Sequence, residues 1–121
     1  MKVFLFLILL SLEAHGCIFC KIINREKEDK IVMETDDVIV LEDANPVTPI
    51  HYLVIPKRHV KNINEADPDM IVKLWEMVNV LAKKIPNYNL MVNTGAQSGQ
   101  KVFHLHIHFF AGKQALAICG S

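Results

Sequence analysis

Cysteine is scarce in this chain, with three in 121 residues. An odd count leaves one unpaired, and a chain this long can build an ordinary core, so a disulfide-stapled scaffold is excluded. An excess of charge of either sign is also lacking, since thirteen Lys and Arg residues are balanced by thirteen Asp and Glu. Gripping a duplex takes a cationic face that neutralises several phosphates, so no nucleic-acid partner is expected. The first ten residues, MKVFLFLILL, combine one basic residue with an apolar run too short for a stable membrane span, which takes roughly 20 residues. No Gly/Ser linker, internal repeat or low-complexity stretch divides the sequence, and one domain is expected. Residues 1–16 have two readings. In SLEAHG, Ala14 and Gly16 have the small-residue spacing of a signal-peptide cleavage site, which would make Cys17 the new N-terminus. Otherwise the segment is an N-terminal extension whose Leu and Phe side chains pack on a domain spanning 17–121.

What is present is apolar and finely divided. Hydrophobic residues make up 51% of the chain, enough to rule out disorder. Ile18 to Ile23 reads as one or two helical turns ending near Asn24. The β-branched runs Ile31 to Glu34, Val38 to Glu42 and His51 to Ile55 read as strands, the last two separated by Asn45-Pro46 and Thr48-Pro49. Asp67 is a good N-cap with Pro68 at the first helical position, and Ile71, Leu74, Val78, Leu81 and Ile85 recur at helical spacing until Pro86. Trp75 and Met77 broaden that core-facing surface. Tyr88 to Asn93 and Val102 to Phe110 read as antiparallel strands around the Gly95 to Gly99 loop. Short strands grouped about one long helix, without strict alternation, predict an α+β fold.

The segment HLHIHFF, residues 104–110, carries the chemistry. Strand alternation puts His104, His106 and His108 on one face, about 6 to 7 Å apart, and Leu105, Ile107 and Phe109 on the other. Three accounts compete: an exposed polar face, a zinc site, or a phosphorus-directed nucleophile. Three imidazoles in a row span about 13 Å, too far for all to reach one ion, so at least one has another task. A neutral imidazole is a competent nucleophile, and its neighbours can hydrogen-bond non-bridging oxygens as charge develops. His106, in the middle, is the candidate. Upstream, Gly95 and Gly99 in TGAQSGQ allow backbone amides close to an anion.

CIFCKII at 17–23, LEDANPVTPIHYLVIPKRH at 41–59 and GQKVFHLHIHFFAGK at 99–113 together resemble the histidine triad family, over about Cys17 to Gly112. The branch most similar is that of the nucleoside phosphoramidases called histidine triad nucleotide-binding proteins. The resemblance implies an α+β fold with a five-stranded antiparallel sheet, one long helix and a short N-terminal one. It also implies a cytoplasmic homodimer, with the secretory alternative open if residues 1–16 are cleaved. His106 matches the family's nucleophile, which forms a covalent nucleotidyl-imidazole, and His104 and His108 match the flanking members. Asn93 and Gly99 match phosphate-site positions, with Gln100 and Lys101 beside them among the nucleotide-binding candidates. Asp43 matches the acid that receives the ribose hydroxyls, as a carboxylate can. Ile18, Phe19, Ile22 and Leu41 would form the purine slot. The implied activity is hydrolysis of purine nucleoside phosphoramidates or related esters and anhydrides, like that of an adenosine 5'-monophosphoramidase, with AMP- or GMP-like ligands. Histidine at the third triad place favours hydrolysis, since the family's transferases carry glutamine there.

Some relatives have serine where Lys101 stands, and the tail ALAICGS lacks a tryptophan-containing ending, so the leaving group stays open. Some family members bind structural zinc, and Cys17, Cys20, His51 and His104 match their ligands. A closed Cys₂His₂ set leaves no position for water. The alternative is a reduced pair of packed thiols; Cys119 is a bystander. No organic cofactor is expected. Two other functions stay in play: a nucleotide-binding adaptor with little turnover, and a zinc-dependent hydrolase.

Overall fold

The computed structural model describes residues 16–113. The expectations for residues 1–15, for Cys119 and for the tail lie outside those residues. Helix α1 (Ile18–Ile23) is followed by β1 (Ile31–Glu34), β2 (Val38–Glu42) and β3 (Ile50–Pro56). Then come a 3₁₀ turn, the long helix α2 (Pro68–Lys84), β4 (Asn89–Met91), a second 3₁₀ turn and β5 (Ile107–Ala111). The strands form one antiparallel five-stranded sheet in the order β1-β2-β3-β5-β4.

Strand alternation sorts the core into two layers. Val38 and Val40 of β2, Val54 of β3, and Ile107 and Phe109 of β5 face α2 and its Met70, Leu74, Met77, Val78 and Leu81. The intervening Ile39, Leu41, Leu53 and Ile55 face Phe19 and Ile22 of α1. Strand β2 is buried on both sides, which is why it reads as an unbroken apolar run. The ends of α2 follow from its sequence: Asp67 accepts from the Met70 amide at 2.8 Å, and Pro68 fills the first turn.

The buried stripe of α2 lies further round the helix than the sequence suggests. Met77 is in the core as expected and Met70 joins it there, whereas Ile71 and Trp75 are exposed, Trp75 at 53%. Strand β4 is shorter than Tyr88 to Asn93, because its ladder with β5 pairs only Asn89, Leu90 and Met91. Tyr88 instead stacks on Phe109 with ring centroids 4.7 Å apart.

The strand expected from Val102 begins only at Ile107. Before it, the backbone satisfies itself elsewhere: the Leu105 amide donates to the Val60 carbonyl at 2.8 Å. The buried Gln100 side chain accepts from the Gly95 amide and donates to the carbonyls of Lys61 and Val102. His104 therefore lies in an irregular segment and His106 at the lip of β5. Among the described residues, no helix is long and apolar enough to cross a membrane.

Candidate active site

The histidines stand on the α1 side of the sheet, opposite Leu105, Ile107 and Phe109. Strand alternation accounts for His106 and His108, whose ring centroids are 5.0 Å apart. Phe19, presented by α1, meets both His104 and His106 edge-on, at 5.9 and 5.2 Å.

Partners fix which nitrogen carries each proton. His106 Nδ1 lies 2.8 Å from the His104 carbonyl oxygen. A carbonyl only accepts, so Nδ1 is the protonated nitrogen and Nε2 keeps its lone pair. Burial holds the imidazole below its ordinary pKa, so it is neutral at neutral pH. A buried, neutral imidazole with a defined free lone pair is what nucleophilic attack requires.

His104 belongs to a different cluster. Its Nε2–H donates to the Pro56 carbonyl at 2.7 Å, which turns the Nδ1 lone pair toward Cys17 Sγ at 3.3 Å and Cys20 Sγ at 3.5 Å. His59 completes the group, its Nδ1 3.3 Å from Cys20 Sγ and 3.0 Å from His104 Nδ1. Helix α1 sets the cysteines one turn apart: Cys17 is the N-cap and its sulfur accepts from the Cys20 amide. All four ligand atoms lie within 4.8 Å of one another. A zinc ion bonded at about 2.0 to 2.3 Å to four tetrahedral ligands holds them roughly 3.3 to 3.8 Å apart, so this donor set fits the ion with small adjustments. Burial and the adjacent Cys17 push the Cys20 thiol up to about 12, the reverse of the depressed value of redox-active Cys-x-x-Cys pairs.

The fourth expected metal ligand, His51, is not in that cluster. On β3 it pairs with Phe110, and its Nε2 lies 2.9 Å from His108 Nδ1 and 3.4 Å from an Asp43 carboxylate oxygen. Antiparallel register is the reason. Continuing the β3–β5 pairing places residue 104 level with residue 57, two residues from His59 and six from His51. A register read from the sequence would have found His59; strand propensity alone could not.

Asn93 and Gly99 lie against each other. The Asn93 side-chain amide donates to the Ser98 carbonyl at 2.7 Å, and a Cβ on Gly99 would come within 3.3 Å of it. Gly99 has φ +93°, the left-handed conformation that suits glycine. Gln100 is committed to the loop by the three bonds described above. Of the expected purine slot, Ile22 and Leu41 are core residues, Phe19 is buried against the histidines, and only Ile18 reaches open space. It lines a hollow of about 310 Å³ with Cys17, His59, Lys101 and Phe103. A separate groove of about 220 Å³ beside α2 contains no histidine; of its charged residues, Arg58 pairs with Asp67 and Lys73 with Asp37.

Comparison with known proteins places this geometry. Residues 16–121 match the family model described as "Scavenger mRNA decapping enzyme C-term binding". The Neisseria gonorrhoeae protein HitA is similar at 38% identity, over 77% of this chain and 92% of that one. The Arabidopsis thaliana adenylylsulfatase HINT3 is 35% identical over 83% of this chain, which spans only 54% of that longer protein. A solved HIT family hydrolase from Clostridium thermocellum has 38% identity and a TM-score of 0.76, covering 80% of this chain and 90% of its own. With the five-stranded sheet, the flanking helices and the histidine row in place, the chain belongs to the histidine triad (HIT) family.

Proposed function

We propose that the chain is a hydrolase that cleaves at the α-phosphorus of a purine nucleotide, with phosphoramidates as the favoured substrates, through a covalent nucleotidyl-His106. The observation that carries this reading is the His106 tautomer, Nδ1–H on the His104 carbonyl and Nε2 free. In the first step Nε2 attacks phosphorus, an N–P bond forms, and the bond to the leaving amine breaks. The amine takes a proton from water. The imidazole, now bonded at Nε2 and still protonated at Nδ1, is cationic and remains anchored to the carbonyl. In the second step water attacks phosphorus and gives its proton to solvent, the N–P bond breaks, and neutral His106 returns. His108 supports the non-bridging oxygens, and Asp43 takes the ribose hydroxyls. Lys101, exposed beside the Ile18 hollow, offers the leaving group a cation. The name of the Arabidopsis relative, an adenylylsulfatase, is consistent with a leaving group displaced from an adenylyl phosphorus.

Cys17, Cys20, His59 and His104 would hold a structural zinc. When bound, that ion supplies a cross-link between α1, the end of β3 and the triad segment, with no open position for Lewis-acid chemistry. The set leaves His106 out, which speaks against a zinc-dependent hydrolase. A homodimer is supported by the edge of β4, which has no strand beyond it among the described residues, and by the outward Ile71, Val72 and Trp75 of α2. Free thiols at Cys17 and Cys20 suit the cytoplasm.

The test is incubation of the wild-type chain and His106→Ala with an adenosine phosphoramidate, read by intact mass and product release. Wild type should carry an adenylyl adduct and turn over; the variant should fold, bind nucleotide and do neither. Turnover by His106→Ala would overturn the mechanism, and nucleotide binding by wild type without turnover would establish an adaptor instead.

A further inference from the structure

His51 has no part in the reaction described above, yet it is buried and makes three polar contacts. From the Asn45 to Pro49 turn, the Val47 amide donates to His51 Nδ1 at 3.2 Å. A backbone amide has no lone pair to offer, so His51 Nδ1 is unprotonated and the single proton of the neutral ring is on Nε2. That Nε2–H faces His108 Nδ1 at 2.9 Å and Asp43 Oδ2 at 3.4 Å. Phe110 braces both rings: it tilts against His51 at 4.5 Å and stacks parallel to His108 at 5.6 Å.

Resting on the phosphoryl-transfer reading, we infer that His51 is a positioning residue that sets the tautomer of His108. Donation from His51 Nε2 makes His108 Nδ1 an acceptor, so the His108 proton is on Nε2. His108 thereby faces the substrate as a neutral N–H donor rather than as a bare lone pair. The direction matters because a non-bridging phosphoryl oxygen only accepts. A His108 with its proton on Nδ1 would oppose the developing charge with its own lone pair, the fault produced when an orienting partner of a catalytic histidine is lost. The chain of donors begins at a main-chain amide, which cannot reverse, so the relay has one sense only: Val47 N–H to His51, His51 N–H to His108, His108 N–H to phosphate.

The same reasoning disposes of a cation among Asp43, His51 and His108, whose ligand atoms are grouped closely enough to suggest one. With Nδ1 accepting from Val47, His51 Nε2 holds a hydrogen and has no lone pair for an ion. Asp43 Oδ1 also accepts from the Asn45 amide at 2.8 Å, so one oxygen of the carboxylate holds the turn while acceptor positions remain for hydroxyl donors.

The test reads tautomers directly and independently of turnover. In long-range proton–nitrogen NMR spectra of the full chain, both His51 and His108 should be the Nε2–H form. His51→Leu should convert His108 to a mixture and lower kcat about 10- to 100-fold with little change in KM. That is less than the roughly 100- to 1000-fold loss expected when a transition-state donor is removed outright, as in His108→Ala. His51→Gln keeps an amide N–H able to reach His108 and should restore both the tautomer and most of kcat. A wild-type proton on Nδ1 of either ring overturns the relay, even if His51→Leu fails to fold. So does a His51→Leu variant with unchanged His108 and unchanged kcat. If wild type turns over no phosphoramidate, the reaction assignment fails, while the wild-type tautomers still decide the relay.

Discussion

His104 hangs from the Pro56 carbonyl by a 2.7 Å bond from Nε2, and that bond aims its other nitrogen at the Cys-x-x-Cys helix turn. A histidine anchored in this way by a carbonyl is the usual arrangement of a metal ligand, with tautomer and ring orientation fixed before the ion arrives. The zinc content of purified variants tests the donor set. Cys17→Ser and His59→Ala should lose most of the zinc per chain and lower the melting temperature, whereas His51→Ala should keep its zinc. Loss of zinc in the His51 variant alone would restore the ligand set suggested by the sequence.

His108 should resist protonation. Burial lowers its pKa to about 4, helped by repulsion from His106 and His51 and opposed by Asp43. In the unfolded chain the same side chain titrates near 6.5. Between those two values the unfolded state binds the extra proton, so its contribution to stability is complete above about 6.5 and declines as pH falls toward about 4. Melting temperature measured from pH 7 to pH 4.5 should therefore fall, and His108→Gln should flatten part of that slope. An unchanged slope would mean that His108 binds its proton equally well in the folded and unfolded states.

Much of this was legible in the sequence, and the reasons are local. Asp67-Pro68 states where α2 begins, the β-branched runs state β1 and β2, and the alternation of 106 to 110 states which side His106 and His108 take. What escaped was set by partners far along the chain. His59 joins the cysteines only because β3 and β5 run antiparallel in one register. The late start of β5 depends on bonds from Leu105 to Val60 and from Gln100 to Lys61, which no periodicity encodes. Ile22 and Leu41, matched to the purine slot by the family resemblance, are packed in the core on the α1 side of the sheet.

Gly112 supports the His51 relay from behind. It has φ +94°, and a Cβ there would come within 3.0 Å of the Pro49 ring, at the end of the turn that holds Val47. Neither the backbone conformation nor the proline ring can yield cheaply. Gly112→Ala should destabilise the fold by about 1 to 3 kcal/mol in denaturant titration. Because the turn moves with it, kcat should fall more than KM changes. A variant as stable and as active as wild type would show that the turn does not depend on this contact.

Neighbouring positions on α2 should separate folding from association. Leu74 is 1% exposed in the core, and Leu74→Ala should cost about 2 to 5 kcal/mol in unfolding. Trp75 faces outward with Ile71 and Val72, where a large aromatic gains nothing from its own core. If those side chains are covered by a second copy, Trp75→Glu should keep the circular dichroism spectrum and shift the sedimentation coefficient from dimer to monomer, because an unpaired carboxylate would be buried at the contact. The core variant should show the opposite pattern, a lower melting temperature with the oligomeric state retained at low temperature. A wild-type chain that sediments as a monomer at every concentration, with Trp75→Glu indistinguishable from it, would remove the homodimer and leave that face without a partner of its own kind.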